Sequence, residues 1–148
     1  MATIACNLQG VKARIARAAQ AAGRDPASVT LLAVSKGQAL ERIEDAVAAG
    51  QKAFGENYVQ EAVQKMEGLP PLEWHLIGPL QSNKTRIVAE QFDWVHSVDR
   101  LKIAQRLAEQ RPAHLPGVEG AGAGVNVTVW SAALIIHQQL AAADRRRA

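Results

Sequence analysis

Three positions in this sequence combine a chemically useful side chain with a setting that could use it. Lys36 closes the apolar run Leu31-Leu32-Ala33-Val34-Ser35, Asn57 follows Phe54-Gly55-Glu56, and His75 lies within Trp74-His75-Leu76-Ile77. A run as short and apolar as the first reads as a strand buried on both faces, the kind found in parallel sheets. Chemistry in such folds collects at the carboxyl ends of the strands, where Lys36 stands. A solvated lysine that merely closes a strand is the competing reading. Asn57 either caps a helix or donates its amide to a ligand oxygen, with Gly55 permitting a tight turn before it. His75 on a buried strand is a satisfied core histidine or a site residue, and Gln81, Asn83 and Lys84 are a site segment or the polar start of a helix.

The elements that must carry these residues recur in a fixed rhythm. Leu8, Val11, Ile15, Ala18, Ala19 and Ala22 mark an amphipathic helix over 7–22, with Asn7 as N-cap and Gly23 as stop. After the turn Arg24-Asp25-Pro26 and the first strand, Leu40, Ile43, Ala46 and Val47 form one face of a helix ended by Gly50. A strand over 52–55 leads to a helix over 57–66 with Val59, Ala62, Val63 and Met66 inward, broken by Pro70 and Pro71. A strand over 73–77 precedes a helix over 83–91. A strand over 93–97 precedes a helix capped by Asp99, with Leu101, Ile103, Ala104 and Leu107 inward. Strands thus begin near 29, 52, 73 and 93, each followed by a helix, the signature of βα units in a parallel sheet with right-handed crossovers. An open sheet and part of a closed barrel both fit, since a barrel needs eight units and typically about 250 residues.

Composition narrows the function classes. The chain has 148 residues, 21% charged and 48% hydrophobic, which suits one globular domain. No apolar stretch is long enough to span a bilayer, and the N-terminus lacks a signal-peptide pattern, so a cytoplasmic protein without a membrane partner is expected. The net charge of +3 is matched by Arg145, Arg146 and Arg147 alone, and elsewhere acids and bases interleave, which argues against a nucleic-acid partner. Cys6 is the single cysteine and reads as a reduced thiol near a helix start. Beyond Gly117 the character changes. The run to Gly124 is glycine-rich but precedes a candidate fifth strand, Val125-Asn126-Val127-Thr128-Val129, instead of opening a helix, so it is no dinucleotide loop. An alanine-rich helix over 131–143 is expected after it.

In combination, Val34-Ser35-Lys36, the run Phe54 to Glu61 and the run Trp74 to Lys84 fall on successive strand ends. In that order they closely resemble the pyridoxal phosphate homeostasis proteins, the YggS/PROSC family, whose single domain looks like the barrel of alanine racemase. The resemblance covers about residues 5–116. Gly37, where the family usually has threonine, and Leu76, where an aromatic residue or methionine is usual, are lesser departures.

The resemblance implies an α/β fold of the (βα)8 TIM-barrel type, PLP fold type III, truncated after four to five βα units. Residues 1–116 would form a partial barrel that binds pyridoxal 5′-phosphate (PLP); the change of composition near Gly117 suggests that 117–148 is an atypical tail, entered by a shifted frame or a rearrangement. The resemblance further implies a protein of intracellular PLP homeostasis that holds the cofactor as a Schiff base on Lys36, with Asn57 near the phenolic oxygen and His75 as a further cofactor-site position. Arginine could not replace a Schiff-base lysine. The family continues well beyond this length, and by resemblance its later strands supply the phosphate-holding loops and the arginine facing the pyridine nitrogen. The family is regarded as binding and buffering the cofactor, with PLP-dependent apoenzymes as partners. Racemisation needs a second acid/base on the opposite cofactor face, so a carrier is favoured over a racemase-like enzyme. A purely structural barrel fragment is the third reading.

Overall fold

The structure, a computed structural model, describes residues 3–112 and the backbone pair 126–127. Five parallel strands are arranged in sequence order: β1 (Ala33–Val34), β2 (Ala53–Glu56), β3 (Glu73–Leu76), β4 (Trp94–Val95) and β5 (Asn126–Val127). Between them run α2 (Leu40–Ala48), α3 (Val59–Glu67), α4 (Thr85–Gln91) and α5 (Leu101–Gln110), with α1 (Ile4–Ala21) leading the chain. A doubly wound sheet reverses its strand order at a switch point, and among the described residues there is none. The order β1-β2-β3-β4-β5 winds one way only, as the strands of a βα barrel do. The glycine-rich run and the expected helix over 131–143 lie outside the described residues, while the expected fifth strand is present at Asn126–Val127, paired with Trp94–Val95.

Side-chain alternation divides the sheet into two faces. Phe54, Trp74, Leu76 and Val95 are buried against Ile43, Ala46, Val59, Ala62, Val88, Ala89, Phe92, Ile103 and Leu107 from the helices. The opposite face carries Gly55, His75 and Trp94, which are matched in register across β2, β3 and β4. β1 is shorter and less buried than the run Leu31–Lys36 suggests, with Ala33 and Val34 only half-buried. Among the described residues its strand partner is β2 alone. Gln51, itself buried, ties the entry to this edge by donating to the Leu31 carbonyl at 2.7 Å and the Ala53 carbonyl at 2.8 Å.

Several helix boundaries move from their expected positions. The N-cap of α1 is Thr3, whose hydroxyl accepts from the Cys6 amide at 3.2 Å, so Asn7 lies inside the helix. Asp99 pairs with the guanidinium of Arg100, the N-cap residue of α5, and Leu101 is 73% exposed instead of inward. The segment before α4 is a short 3-10 turn, Ser82–Lys84, so the helix proper begins at Thr85. Gly23 and Gly50, at φ +66° and +85°, end their helices as expected.

Candidate functional site

Lys36 and Asn57 lie just past the carboxyl ends of adjacent strands. Val34 is in register with Gly55, and the Ser35 amide continues the ladder by donating to the Gly55 carbonyl at 3.0 Å, so Lys36 and Asn57 fall in step. Ser35 is buried beneath α3, where its hydroxyl donates to Glu56 Oε1 at 2.5 Å. Its neighbour Lys36 therefore leaves the strand on the side away from the helices. Lys36 is half-buried, and among the described residues no hydrogen bond or ion pair engages its amine. The Gly37 that follows, at φ +67°, turns the chain back towards α2.

Asn57 does not cap α3. The N-cap is Tyr58, with no side-chain cap bond, because the chain stays extended for one residue beyond Asn57 before the helix begins. That leaves the Asn57 amide available, and its Oδ1 is buried without a partner among the described residues. Nor does Gly55 make a turn. It lies within β2, where a Cβ would press on Ile77 and Leu32 at 3.2 and 3.3 Å, so its smallness lets those side chains close over the sheet. The crowded glycine is Gly78, where an added Cβ would fall 2.1 Å from the Asn57 carbonyl oxygen. The loop after β3 thus packs directly on the Asn57 backbone, and Ser97, two residues past β4, pins it by donating its hydroxyl to the Gly78 carbonyl.

His75 is one inward-facing layer below Lys36 and Asn57, in register with Gly55. It is buried and fully bonded: Nε2 lies 2.7 Å from Glu73 Oε1, and Nδ1 lies 2.8 Å from His96 Nε2. Its ring stacks on Trp94 with centroids 5.6 Å apart. Desolvation lowers the pKa of both histidines, against an upward pull on His75 from Glu73 and with His75 itself lowering His96 further. Neutral rings suit the bonding, since an N–H on one ring must meet a lone pair on the other. Gln81 falls just before the 3-10 turn Ser82–Lys84, and Asn83 and Lys84 fall within it.

Three residues to which the sequence alone assigns no role complete the region. Glu56 is 0% exposed on the helix side of β2, and Lys65 of α3 reaches it at 2.8 Å. The same amine binds Glu61 Oε1 at 2.6 Å and the Ser35 carbonyl at 2.7 Å, and Glu61 Oε1 accepts from the Gly37 amide at 2.6 Å. The Lys65 bond, ahead of the opposing desolvation, holds the Glu61 carboxyl below its ordinary pKa. A signal for this network existed: Glu56 follows Phe54 at strand spacing, and Lys65 falls three residues after Ala62 on the inward stripe of α3.

Comparison with known proteins agrees with this architecture. Residues 6–130 match the family described as "Alanine racemase, N-terminal domain", a match that runs past Gly117 through β5. The pyridoxal phosphate homeostasis protein of Pseudomonas aeruginosa is 65% identical over 118 residues, covering 78% of this chain and 51% of that protein. That of Escherichia coli K12 is 56% identical over 121 residues, covering 78% and 52%. Among solved structures, PipY of Synechococcus elongatus with PLP bound is 49% identical with a TM-score of 0.55, covering 65% of this chain and 47% of that one. The chain thus spans about half the length of the curated relatives it matches. It belongs to the alanine racemase N-terminal domain family, and within that family it is similar to the N-terminal half of the pyridoxal phosphate homeostasis proteins.

Proposed function

We propose that this chain binds pyridoxal 5′-phosphate as part of intracellular PLP homeostasis, with Lys36 as the amine that takes up the cofactor's aldehyde. The observation that carries this reading is the Lys36 amine, unengaged among the described residues, at a strand end beside Asn57, whose buried Oδ1 likewise lacks a partner among them. These groups fit the aldehyde and ring end of the cofactor, and the likeness to a PLP-bound structure supports the same choice. When bound, the cofactor supplies an electrophilic carbonyl carbon. Lys36 offers the nucleophile, Asn57 an amide whose N–H can donate to the ring's phenolic oxygen, and Gly78 the close packing that keeps Asn57 in place. His75 serves as a floor for the site: bonded on both nitrogens, it stiffens β3 and β4 below the ligand.

We also propose binding without turnover, with PLP-dependent apoenzymes as recipients in the cytoplasm. Among the described residues no helix is long and apolar enough to cross a membrane. The test is to add PLP, reduce with borohydride and map the adduct by mass spectrometry. Modification chiefly at Lys36, lost in Lys36→Ala, is expected. Diffuse labelling of surface lysines would instead support a purely structural fragment, and amino-acid racemisation in a direct assay would overturn the absence of turnover.

A further inference from the structure

Lys36 is gripped from both sides by one turn of α3. The Lys65 amine donates to the Ser35 carbonyl, in the peptide group before Lys36, at 2.7 Å. Glu61 Oε1 accepts from the Gly37 amide, in the peptide group after it, at 2.6 Å. The same Glu61 oxygen accepts from Lys65 at 2.6 Å, and Lys65 is anchored in turn on Glu56 at 2.8 Å. Peptide groups are planar, so the two that flank a residue fix its φ and ψ and hence the direction of its side chain. Here both planes are held by ionic partners, and charge-assisted bonds are roughly twice as strong as neutral ones.

We propose that Glu61, held by Lys65, is a positioning residue for Lys36: it fixes the direction in which the amine leaves the sheet end, so that a docked aldehyde meets it in one orientation. The inference rests on the proposed role of Lys36. An ion pair that only stabilised α3 would have no need of the Gly37 amide. Glu61 is only part-buried and touches no ligand in this scheme. It acts through the backbone of the residue that does.

The test separates the hydrogen bond from the fold. Glu61→Gln retains an oxygen that accepts from Gly37, whereas Glu61→Ala removes it. The full chain and both variants are mixed with pyridoxal 5′-phosphate, and the circular dichroism of the bound chromophore is recorded. Timed samples are then reduced with borohydride, and adducts at Lys36 and at other lysines are quantified by mass spectrometry. Glu61→Ala is expected to slow trapping at Lys36 on the order of tenfold and to abolish the dichroism, with other lysines labelled as before. Glu61→Gln should stay within about twofold of the unsubstituted chain, as retained geometry requires. Wild-type trapping and dichroism in Glu61→Ala overturn the inference. So does a loss shared equally by both variants that tracks their melting temperatures, since that assigns Glu61 to helix stability. Diffuse labelling of the unsubstituted chain is a separate result: it defeats the role of Lys36 itself, and the positioning role with it.

Discussion

The Lys65 amine and Glu56 Oε1 stand 2.8 Å apart between β2 and α3, with side chains 9% and 0% exposed. Taking two charges out of water is repaid only when both partners and their remaining hydrogen bonds are in place. Ser35 supplies one such bond to Glu56, and its carbonyl supplies one to Lys65. Removing the amine leaves a buried carboxylate uncompensated, so Lys65→Met is expected to cost about 3–5 kcal/mol. Urea denaturation should show a lowered midpoint with an unchanged slope. The double variant Lys65→Met, Glu56→Gln should cost less than the two single changes added together, because the second change removes the stranded charge.

Gly78, in the loop after β3, and Gly55, within β2, offer a matched pair of substitutions. At Gly78 a methyl group would sit 2.1 Å from the Asn57 carbonyl oxygen, and backbone cannot swing aside as a side chain does. Gly78→Ala is therefore expected to cost about 3 kcal/mol or more. At Gly55 the obstacles are the tips of Ile77 and Leu32 at 3.2 and 3.3 Å, so Gly55→Ala should cost about 1 kcal/mol as those side chains shift. Gly78→Ala should also displace Asn57 and weaken PLP labelling at Lys36, which Gly55→Ala should leave nearer its original level. Thermal denaturation and the labelling assay read the two effects separately.

The sequence made the sheet legible because each βα unit repeats the same punctuation. The turns at Gly23 and Gly50, the apolar stripe of α2 and the starts of the strands are all local properties of the chain. Lys36 and Asn57 were legible as strand-end positions for the same reason. What escaped was non-local. Asn57 has the chemistry of a helix cap, but the extended Tyr58 defers the helix and frees the amide, an outcome set by how the loop at Gly78 packs on Asn57. Leu101 keeps the helical phase of Ile103 and Leu107 only approximately, and the helix meets α4 along Ile103 and Leu107 instead. The Glu56, Glu61 and Lys65 cluster is read only when Glu56 on β2 is paired with Lys65 on α3, nine residues further along the chain.

The histidine pair makes stability depend on pH in a defined direction. Burial lowers the pKa of His75 and His96 from their ordinary value of 6.5, so the unfolded chain binds protons at a higher pH than the folded one. Above that value both states hold neutral rings and the pair contributes no slope. As pH falls below it, the unfolded state takes up protons first, and stability is lost until the folded rings protonate as well. Protonating both rings would also set two N–H groups against each other across the 2.8 Å contact. The melting temperature is expected to fall between about pH 7 and pH 5 more steeply than in the double variant His75→Gln, His96→Gln. Equal slopes for the two proteins would show that the pair does not titrate in this range.

Arg111 closes the helical layer from the end of α5. Its guanidinium donates to the Ala89 carbonyl at 2.8 Å and the Phe92 carbonyl at 2.7 Å, and the residue is buried. Both acceptors belong to fully buried residues where α4 ends, Ala89 within the helix and Phe92 at its C-cap. Both bonds come from one guanidinium nitrogen, Nη1, whose two hydrogens serve the two carbonyls. Arg111→Met preserves much of the side-chain volume but strands both oxygens, and it is expected to cost about 2–4 kcal/mol. Arg111→Lys restores a charge with a less extended set of donors and should recover only part of that loss. The order of midpoints in urea, unsubstituted chain above Arg111→Lys above Arg111→Met, checks this. If Met and Lys are equivalent, the contribution of Arg111 lies in its packing against α4 and not in the two carbonyl bonds.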